Sequence, residues 1–206
     1  FAGGQLDIMT HFLLHTMPIP TPTLGSKAPV HVLDFASGSG SIGATIIARA
    51  KGGDGLKVHL LDADAVSMEA AKLNVPDAAS FMVGNGWFGV TEATPLFDLV
   101  VSNPPVHKGV PDDFSVIMGL IQGAPKHMSE RGELYIVAQS TVPVGWMLAS
   151  VFESVDMFGD GVGRFHVWRG SNVEMSAEAR RGVLGRTHEY YRMLRRAMAG
   201  DEGAGA

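Results

Sequence analysis

Apolar and polar residues follow two different rhythms along this chain, and each change of rhythm marks an element. Short β-rich apolar runs occur at Val30-His31-Val32-Leu33-Asp34-Phe35, Lys57 to Leu61, Ser80 to Val83, Phe97 to Val101 and Glu133 to Ala138. Their length and composition predict five strands. Between them, Ile42 to Ala50, Ala65 to Leu73 and Phe114 to Met128 read as helices, the second stopping before Pro76. Strand and helix taking turns predicts an α/β fold, a Rossmann-like and mostly parallel sheet with helices on both faces.

The last part breaks the alternation. Val155 to Phe158 and Arg164 to Arg169 flank Gly159-Asp160-Gly161-Val162-Gly163. This reads as a hairpin that closes the sheet antiparallel and brings it to seven strands. At the other end, a helix over Gln5 to Thr16 is joined to the first strand by the Pro- and Thr-rich linker or surface loop Pro18 to Pro29. We expect one domain over residues 1–170 and a C-terminal extension over 171–206, whose tail Asp201 to Ala206 is expected to be disordered.

Composition narrows the function classes. With 206 residues, 46% hydrophobic and 18% charged, the chain suits one sizeable core and not a disordered segment. A formal net charge of -5 means that any nucleic-acid contact must come from a local patch. There is no cysteine, which excludes disulfides and thiolate metal sites, and the eight His form no H-E-x-x-H pattern, so no metal site is expected. The longest apolar-looking stretch, Val30 to Ala50, holds Asp34 and three Gly, so no membrane span is expected. The chain begins with Phe1 instead of Met, so an upstream piece is expected to have been removed or left out, and any targeting segment with it.

Two constellations carry chemistry. Asp34-Phe35-Ala36-Ser37-Gly38-Ser39-Gly40 sits where a strand turns into a helix. Glycines there let backbone approach a ligand, and the free N–H groups of a helix start offer donors and positive potential. A tight turn without a ligand is the plain alternative. Asp62 closes the second strand about twenty residues on, where a carboxylate can accept hydrogen bonds from ribose hydroxyls of NAD or of S-adenosylmethionine. The missing first glycine, at Ala36, speaks against a NAD fingerprint. Asp64 reads as the cap of the next helix. Asn85 could bond an adenine edge, or simply serve the Gly84-Asn85-Gly86 turn.

The second constellation is Ser102-Asn103-Pro104-Pro105, at the carboxyl end of the fourth strand. Two prolines fix φ twice and remove two donors, so acceptors dominate the spot, and the Asn103 side-chain carbonyl adds another. Such a group of acceptors suits a planar –NH2, whose two hydrogens it takes while turning the nitrogen toward an electrophilic methyl. A rigid turn after a buried strand is the alternative.

With these motifs in order, the stretch Phe1 to Arg169 resembles the catalytic domain of class I S-adenosylmethionine-dependent methyltransferases. Within that class it is most similar to the bacterial small-subunit rRNA guanine-N(2) methyltransferases, their large-subunit relatives close behind. Phe1, Leu6-Asp7 and Phe12-Leu13-Leu14 match the family's opening Phe, Leu-Asp and Leu-rich helix. Val32-Leu33-Asp34 through Gly40 matches its glycine motif, and Ser102 to Gly109 its Ser-Asn-Pro-Pro-Phe-His-x-Gly. Arg131 to Ala138 and Gly163 to Arg169 match its closing strand motifs. The resemblance implies S-adenosylmethionine held by Asp34, Ala36, Gly38, Gly40, Asp62, Ala63, Asn85 and Asn103. It implies Asn103, Pro104 and Pro105 as the catalytic group, with Val106 and His107 near a flipped base; a turn-stabilising role for His107 is the alternative.

The partner it implies is ribosomal RNA or a pre-ribosomal particle, in the cytoplasm or a mitochondrion. Ser176 to Met198, with six Arg against Glu178 and Glu189, reads as a basic helix for rRNA phosphate or a protein partner, or as a solvated surface helix. Three departures from the family pattern matter. Ala36 stands where the family has glycine. Val106 stands where it has Phe, removing a stacking face on the order of 1–3 kcal/mol. The bacterial members carry a second, N-terminal domain, which these 206 residues are not expected to supply. These departures motivate a second reading, a catalytically idle methyltransferase-like assembly factor. A third is methylation of adenine-N(6) or of a protein glutamine.

Overall fold

The computed structural model describes residues 6–21, 28–50, 55–105 and 114–172. Val106, His107 and the basic stretch Ser176 to Met198 lie outside the described residues. In chain order the elements are α1 (Ile8–Thr16), β1 (Val30–Phe35), α2 (Ser41–Arg49), β2 (Leu56–Asp62), α3 (Ala65–Asn74), β3 (Ser80–Val83) and β4 (Phe97–Ser102). They continue with α4 (Ser115–His127), β5 (Met128–Gln139), α5 (Val144–Ala149), β6 (Ser154–Gly159) and β7 (Phe165–Ser171). One seven-stranded sheet has the order β3-β2-β1-β4-β5-β7-β6.

The first five strands are parallel and their central members are covered on both faces, so they read as almost unbroken apolar runs. One core, with Leu33, Leu61, Ile136 and Trp168, lies under α4 and α5. The other, with Val32, Leu60, Val101 and Val167, lies under α1, α2 and α3. Neighbouring residues such as Val32 and Leu33 serve opposite cores because strand side chains alternate. β7 pairs antiparallel with both β5 and β6, as the hairpin reading predicts, and occupies the inner position.

Three details depart from the sequence expectation. α1 starts at Ile8, with Asp7 as its cap, so Leu6, expected within the helix, lies before it. β5 begins at Met128, directly after α4, and not at Glu133. Its pairing with β4 jumps from Phe97↔Met128 to Leu99↔Glu133, so an irregular segment precedes the regular run that the pattern predicts. Asp98 ties this irregularity down by accepting from Ser129 Oγ (2.8 Å) and from the backbone N–H of His31 (2.9 Å). α5 is not foreshadowed at all. Five of its six residues are buried, so it shows no polar face from which a helical period could be read.

The topology sets the site. From β1 the chain winds outward through β2 and β3, then returns to β4 on the other side of β1. The crossover helices part at this switch point and leave a crevice above the carboxyl ends of β1 and β4.

Candidate active site

Above β1 the backbone is under tight demands. Gly40 is the N-cap of α2 at φ +84°, and a Cβ there would stand 2.6 Å from Val75 Cγ2 and 2.7 Å from Leu60 Cδ2. Only glycine fits. Gly38 also has a left-handed φ, +54°, but a Cβ on it would meet nothing within 4 Å. Between β1 and Gly38, Ala36 adopts φ +57°, a region that costs an L-residue roughly 1–2 kcal/mol.

Asp34 sits fully buried below this loop. Its Oδ2 accepts the Gly43 N–H at 2.9 Å in the first turn of α2, while its Oδ1 is buried without a hydrogen-bond partner. Burial pushes the carboxyl up to about 7 against the pull of the Gly43 N–H, and the nearby Asp62 adds to the rise. Asp62 itself is clamped from both sides. Its Oδ2 accepts from Gly38 N (2.7 Å) and its Oδ1 from Asp64 N (2.8 Å), which leaves each oxygen a further lone pair. Asp64 caps α3 through Val66 N at 2.9 Å, as expected from the sequence.

The third wall follows β3. Asn85 starts a single 3-10 turn (Gly86–Gly89), but its side chain does not cap that turn. Gly84 is required, since a Cβ would fall 2.4 Å from the Gly89 backbone nitrogen. Trp87 anchors the segment to α4, with its indole N–H directed at the carbonyls of Gly119 (3.2 Å) and Leu120 (3.0 Å). Its ring stacks on His127 at 4.5 Å and meets Phe35 at 5.1 Å.

β4 supplies the fourth wall. Buried Ser102 donates its hydroxyl to the Phe35 carbonyl at 2.7 Å, locking the ends of β4 and β1 together. Asn103 follows, and its Nδ2 donates to Asp7 Oδ2 at 2.7 Å and to Thr10 Oγ1 at 2.9 Å. Pro104 is buried and Pro105 is exposed.

These walls enclose a cavity of about 500 Å³, within the range of small-ligand sites. Ala36, Gly38, Asp62, Ala63, Asn85, Asn103 and Pro105 line it, which brings together seven residues singled out from the sequence. Asp34, Gly40 and Pro104 do not line it. Asp34 is spent beneath the loop on α2, Gly40 is consumed by packing on Val75 and Leu60, and Pro104 is turned into the protein. Phe35, Leu61, Gly84, Gly86 and Val116 also line the cavity and went unrecognised. The first four adjoin motif residues and were within reach of the strand-end rule; Val116 carries no sequence signal. Asp7 and Thr10 were missed as partners of Asn103. Among the described residues no three His, Asp or Glu gather as metal ligands, and no helix is long and apolar enough to cross a membrane.

The arrangement suits an adenosine-type cofactor. Gly38 and Gly86, both at positive φ, have open space where a Cβ would stand, so ligand atoms can approach the backbone closely. A carboxylate with spare lone pairs (Asp62) stands at the second strand end, an amide (Asn85) at the third and an amide acceptor (Asn103) at the fourth. Phe35, Leu61 and Val116 supply apolar walls. Fold and cavity together define a Rossmann-like α/β protein with a nucleotide-type pocket at the strand ends.

The comparisons with known proteins narrow that class. The chain belongs to the methyltransferase small domain family, whose model matches residues 1–169. It is 31% identical over 171 residues to ribosomal RNA small subunit methyltransferase C of Enterobacter sp. (strain 638), covering 82% of this chain and 46% of that protein. It is 36% identical over 143 residues to the protein of the same name from Pseudomonas entomophila (strain L48), covering 68% of this chain and 39% of that one. The chain thus spans about half the length of these relatives or less. Among solved structures, a T. thermophilus 16S rRNA N2 methyltransferase (RsmC), in complex with AdoMet and guanosine, superimposes with a TM-score of 0.66 at 21% identity. That match covers 84% of this chain and 45% of that one, and shows a shared fold.

Proposed function

We propose that this chain carries an S-adenosylmethionine-dependent N-methyltransferase centre that modifies the exocyclic N2 amine of a guanine in ribosomal RNA, the small subunit favoured. One observation carries the reading: Asn103 and Pro105 line the same cavity as Gly38, Asp62 and Asn85, so an amine acceptor site and a nucleotide-type pocket are one space. The names of the relatives point to small-subunit rRNA. Asp62 would hold the ribose, Asn85 the adenine edge, and the open backbone at Gly38 the methionine part. When bound, the cofactor would supply a methyl group on a positively charged sulfur, which would keep the electron pair of the S–C bond.

The protein's own contribution is orientation. With the Asn103 NH2 held by Asp7 and Thr10, the side chain offers a substrate its carbonyl oxygen as an acceptor. An acceptor selects a nitrogen that still carries hydrogen and aligns its lone pair with the methyl. As the N–C bond forms, positive charge grows on that nitrogen and the Asn103 carbonyl dipole stabilises it; the surplus proton then leaves to solvent. Asn103→Ala should therefore lower turnover by on the order of 10²-fold or more. Cofactor affinity, measured by calorimetry, should stay within a few-fold.

Purified protein assayed with undermethylated ribosomal subunits and their precursors, followed by nucleoside mass spectrometry, tests the reading. N2-methylguanosine supports it. N6-methyladenosine, or methylglutamine in peptides, would transfer the activity to the corresponding alternative acceptor. A catalytically idle assembly factor is the second reading, favoured by the left-handed Ala36 in the cavity wall. Cofactor binding without methylation of any rRNA substrate would support that reading instead. The partner is rRNA or a pre-ribosomal particle, in the cytoplasm or a mitochondrion, with the basic stretch Ser176 to Met198 as an added contact.

A further inference from the structure

Asn103 is one residue of a three-residue network whose other members lie nearly a hundred positions upstream. Its Nδ2 is 2.7 Å from Asp7 Oδ2 and 2.9 Å from Thr10 Oγ1. The same Asp7 Oδ2 accepts the Thr10 backbone N–H (3.1 Å) and the Thr10 hydroxyl (3.2 Å), which caps α1. Thr10 is buried. Because its hydroxyl hydrogen goes to Asp7, its lone pairs are left for Asn103.

An asparagine amide is nearly symmetric in shape, so only its hydrogen-bond partners decide which end faces which way. Here the Asp7 carboxylate decides it, since it can only accept. Turning the amide over would set Asn103 Oδ1 about 2.7 Å from the Asp7 carboxylate oxygen with no hydrogen between them, and Thr10 could donate to it only by giving up its own bond to Asp7. The observed orientation gives Nδ2 two acceptors, one of them charged. Oδ1 is then the atom of the amide left for a substrate, and no described residue donates to it.

We propose that the first turn of α1 is the device that sets the acceptor site: Asp7 and Thr10 are positioning residues that hold Asn103 with its carbonyl, not its NH2, toward the incoming amine. This rests on the N-methyltransferase reading above. An amide free to turn would present NH2 to the amine for part of the time, donor against donor, and turnover would fall while cofactor binding did not.

The test separates capping from positioning. Asp7→Ser keeps a good helix cap but is too short to hold the Asn103 amide. Thr10→Val keeps the buried shape and removes the second acceptor. Asp7→Asn retains one acceptor oxygen and should largely rescue. The first readout needs no substrate or cofactor: the side-chain amide of Asn103 followed by ¹⁵N NMR. In the unaltered protein its two hydrogens should exchange slowly with water; Asp7→Ser should speed exchange about tenfold or more and Asp7→Asn much less.

Turnover with rRNA substrate is the second readout. Asp7→Ser should lower kcat about tenfold or more, leave cofactor affinity within about twofold and keep the thermal midpoint close to that of Asp7→Asn. An Asn103 amide unchanged in both Asp7→Ser and Thr10→Val overturns the proposal. So does an amide set free without loss of kcat. If the unaltered protein methylates nothing, the proposed activity fails by itself, and the NMR comparison alone upholds or overturns the placement of the amide.

Discussion

Ala36 shows how much a single residue can decide in a cofactor loop. It holds φ +57° in the cavity wall, beside glycines at 38 and 40 that hold positive φ at no steric cost. Ala36→Gly relieves the left-handed strain, partly offset by the greater freedom that glycine has in the unfolded chain. A net gain of about 0.5–1 kcal/mol is expected, or roughly 1–4 °C in thermal midpoint for a domain of this size. The substitution also removes a methyl group from the wall, so S-adenosylmethionine should bind the variant more tightly by calorimetry. Equal or weaker binding would show that the loop has adapted to the alanine. The glycine pattern marked this residue by its spacing. Only the backbone angle shows that the alanine is accommodated in the conformation a glycine would take.

At the scale of elements, the third wall of the cavity depends on a contact between a 3-10 turn and a helix. Trp87 reaches from the turn to the carbonyls of Gly119 and Leu120, and its ring lies where a Cβ on Gly123 would stand, 2.1 Å from Trp87 Cδ1. Gly123→Ala must therefore push the indole aside. Overpacking of this kind costs about 1–3 kcal/mol. Because Asn85 and Gly86 precede Trp87 directly, cofactor affinity should fall along with stability. A thermal melt paired with calorimetry checks both, and a loss of stability with unchanged affinity would separate the turn from the site. No periodicity in the sequence hints at this pairing: Trp87 and Gly123 lie 36 positions apart and meet only because α4 packs over the sheet. The caps are different. Asp64 was readable as the start of α3 because a cap acts within three residues of itself.

Over the whole molecule, two buried titrating groups make stability depend on pH in opposite senses. Asp34 has its carboxyl raised from 3.8 to about 7 by burial. The folded state therefore holds that proton more tightly, and this contribution is full below pH 4 and lost as pH rises through about 7. His59 is buried between His31 (3.0 Å) and Ser80 Oγ (2.8 Å), and burial, with His31 nearby, lowers it from 6.5 to about 4. Its contribution is full above pH 6.5 and lost as pH falls through about 4. Melting curves between pH 4 and 8 should separate the two. Relative to the unaltered protein, Asp34→Asn should gain stability as pH rises from 5 to 8, and His59→Gln should gain as pH falls from 6.5 to 4. Parallel profiles would refute the assignment of these slopes. By itself the sequence determined the alternation of strands and helices, the antiparallel closing hairpin, and the strand-end positions of Gly38, Asp62, Asn85 and Asn103. Those features rest on local periodicity, turn chemistry and motif spacing, which act over a few residues. Tertiary structure alone decided that Asp34 lies under the loop and outside the cavity, that Val116 closes the wall, and that Asp7 and Thr10 hold the amide of Asn103. Each of these depends on which distant segments meet, and an apolar pattern marks a face as buried without naming what covers it.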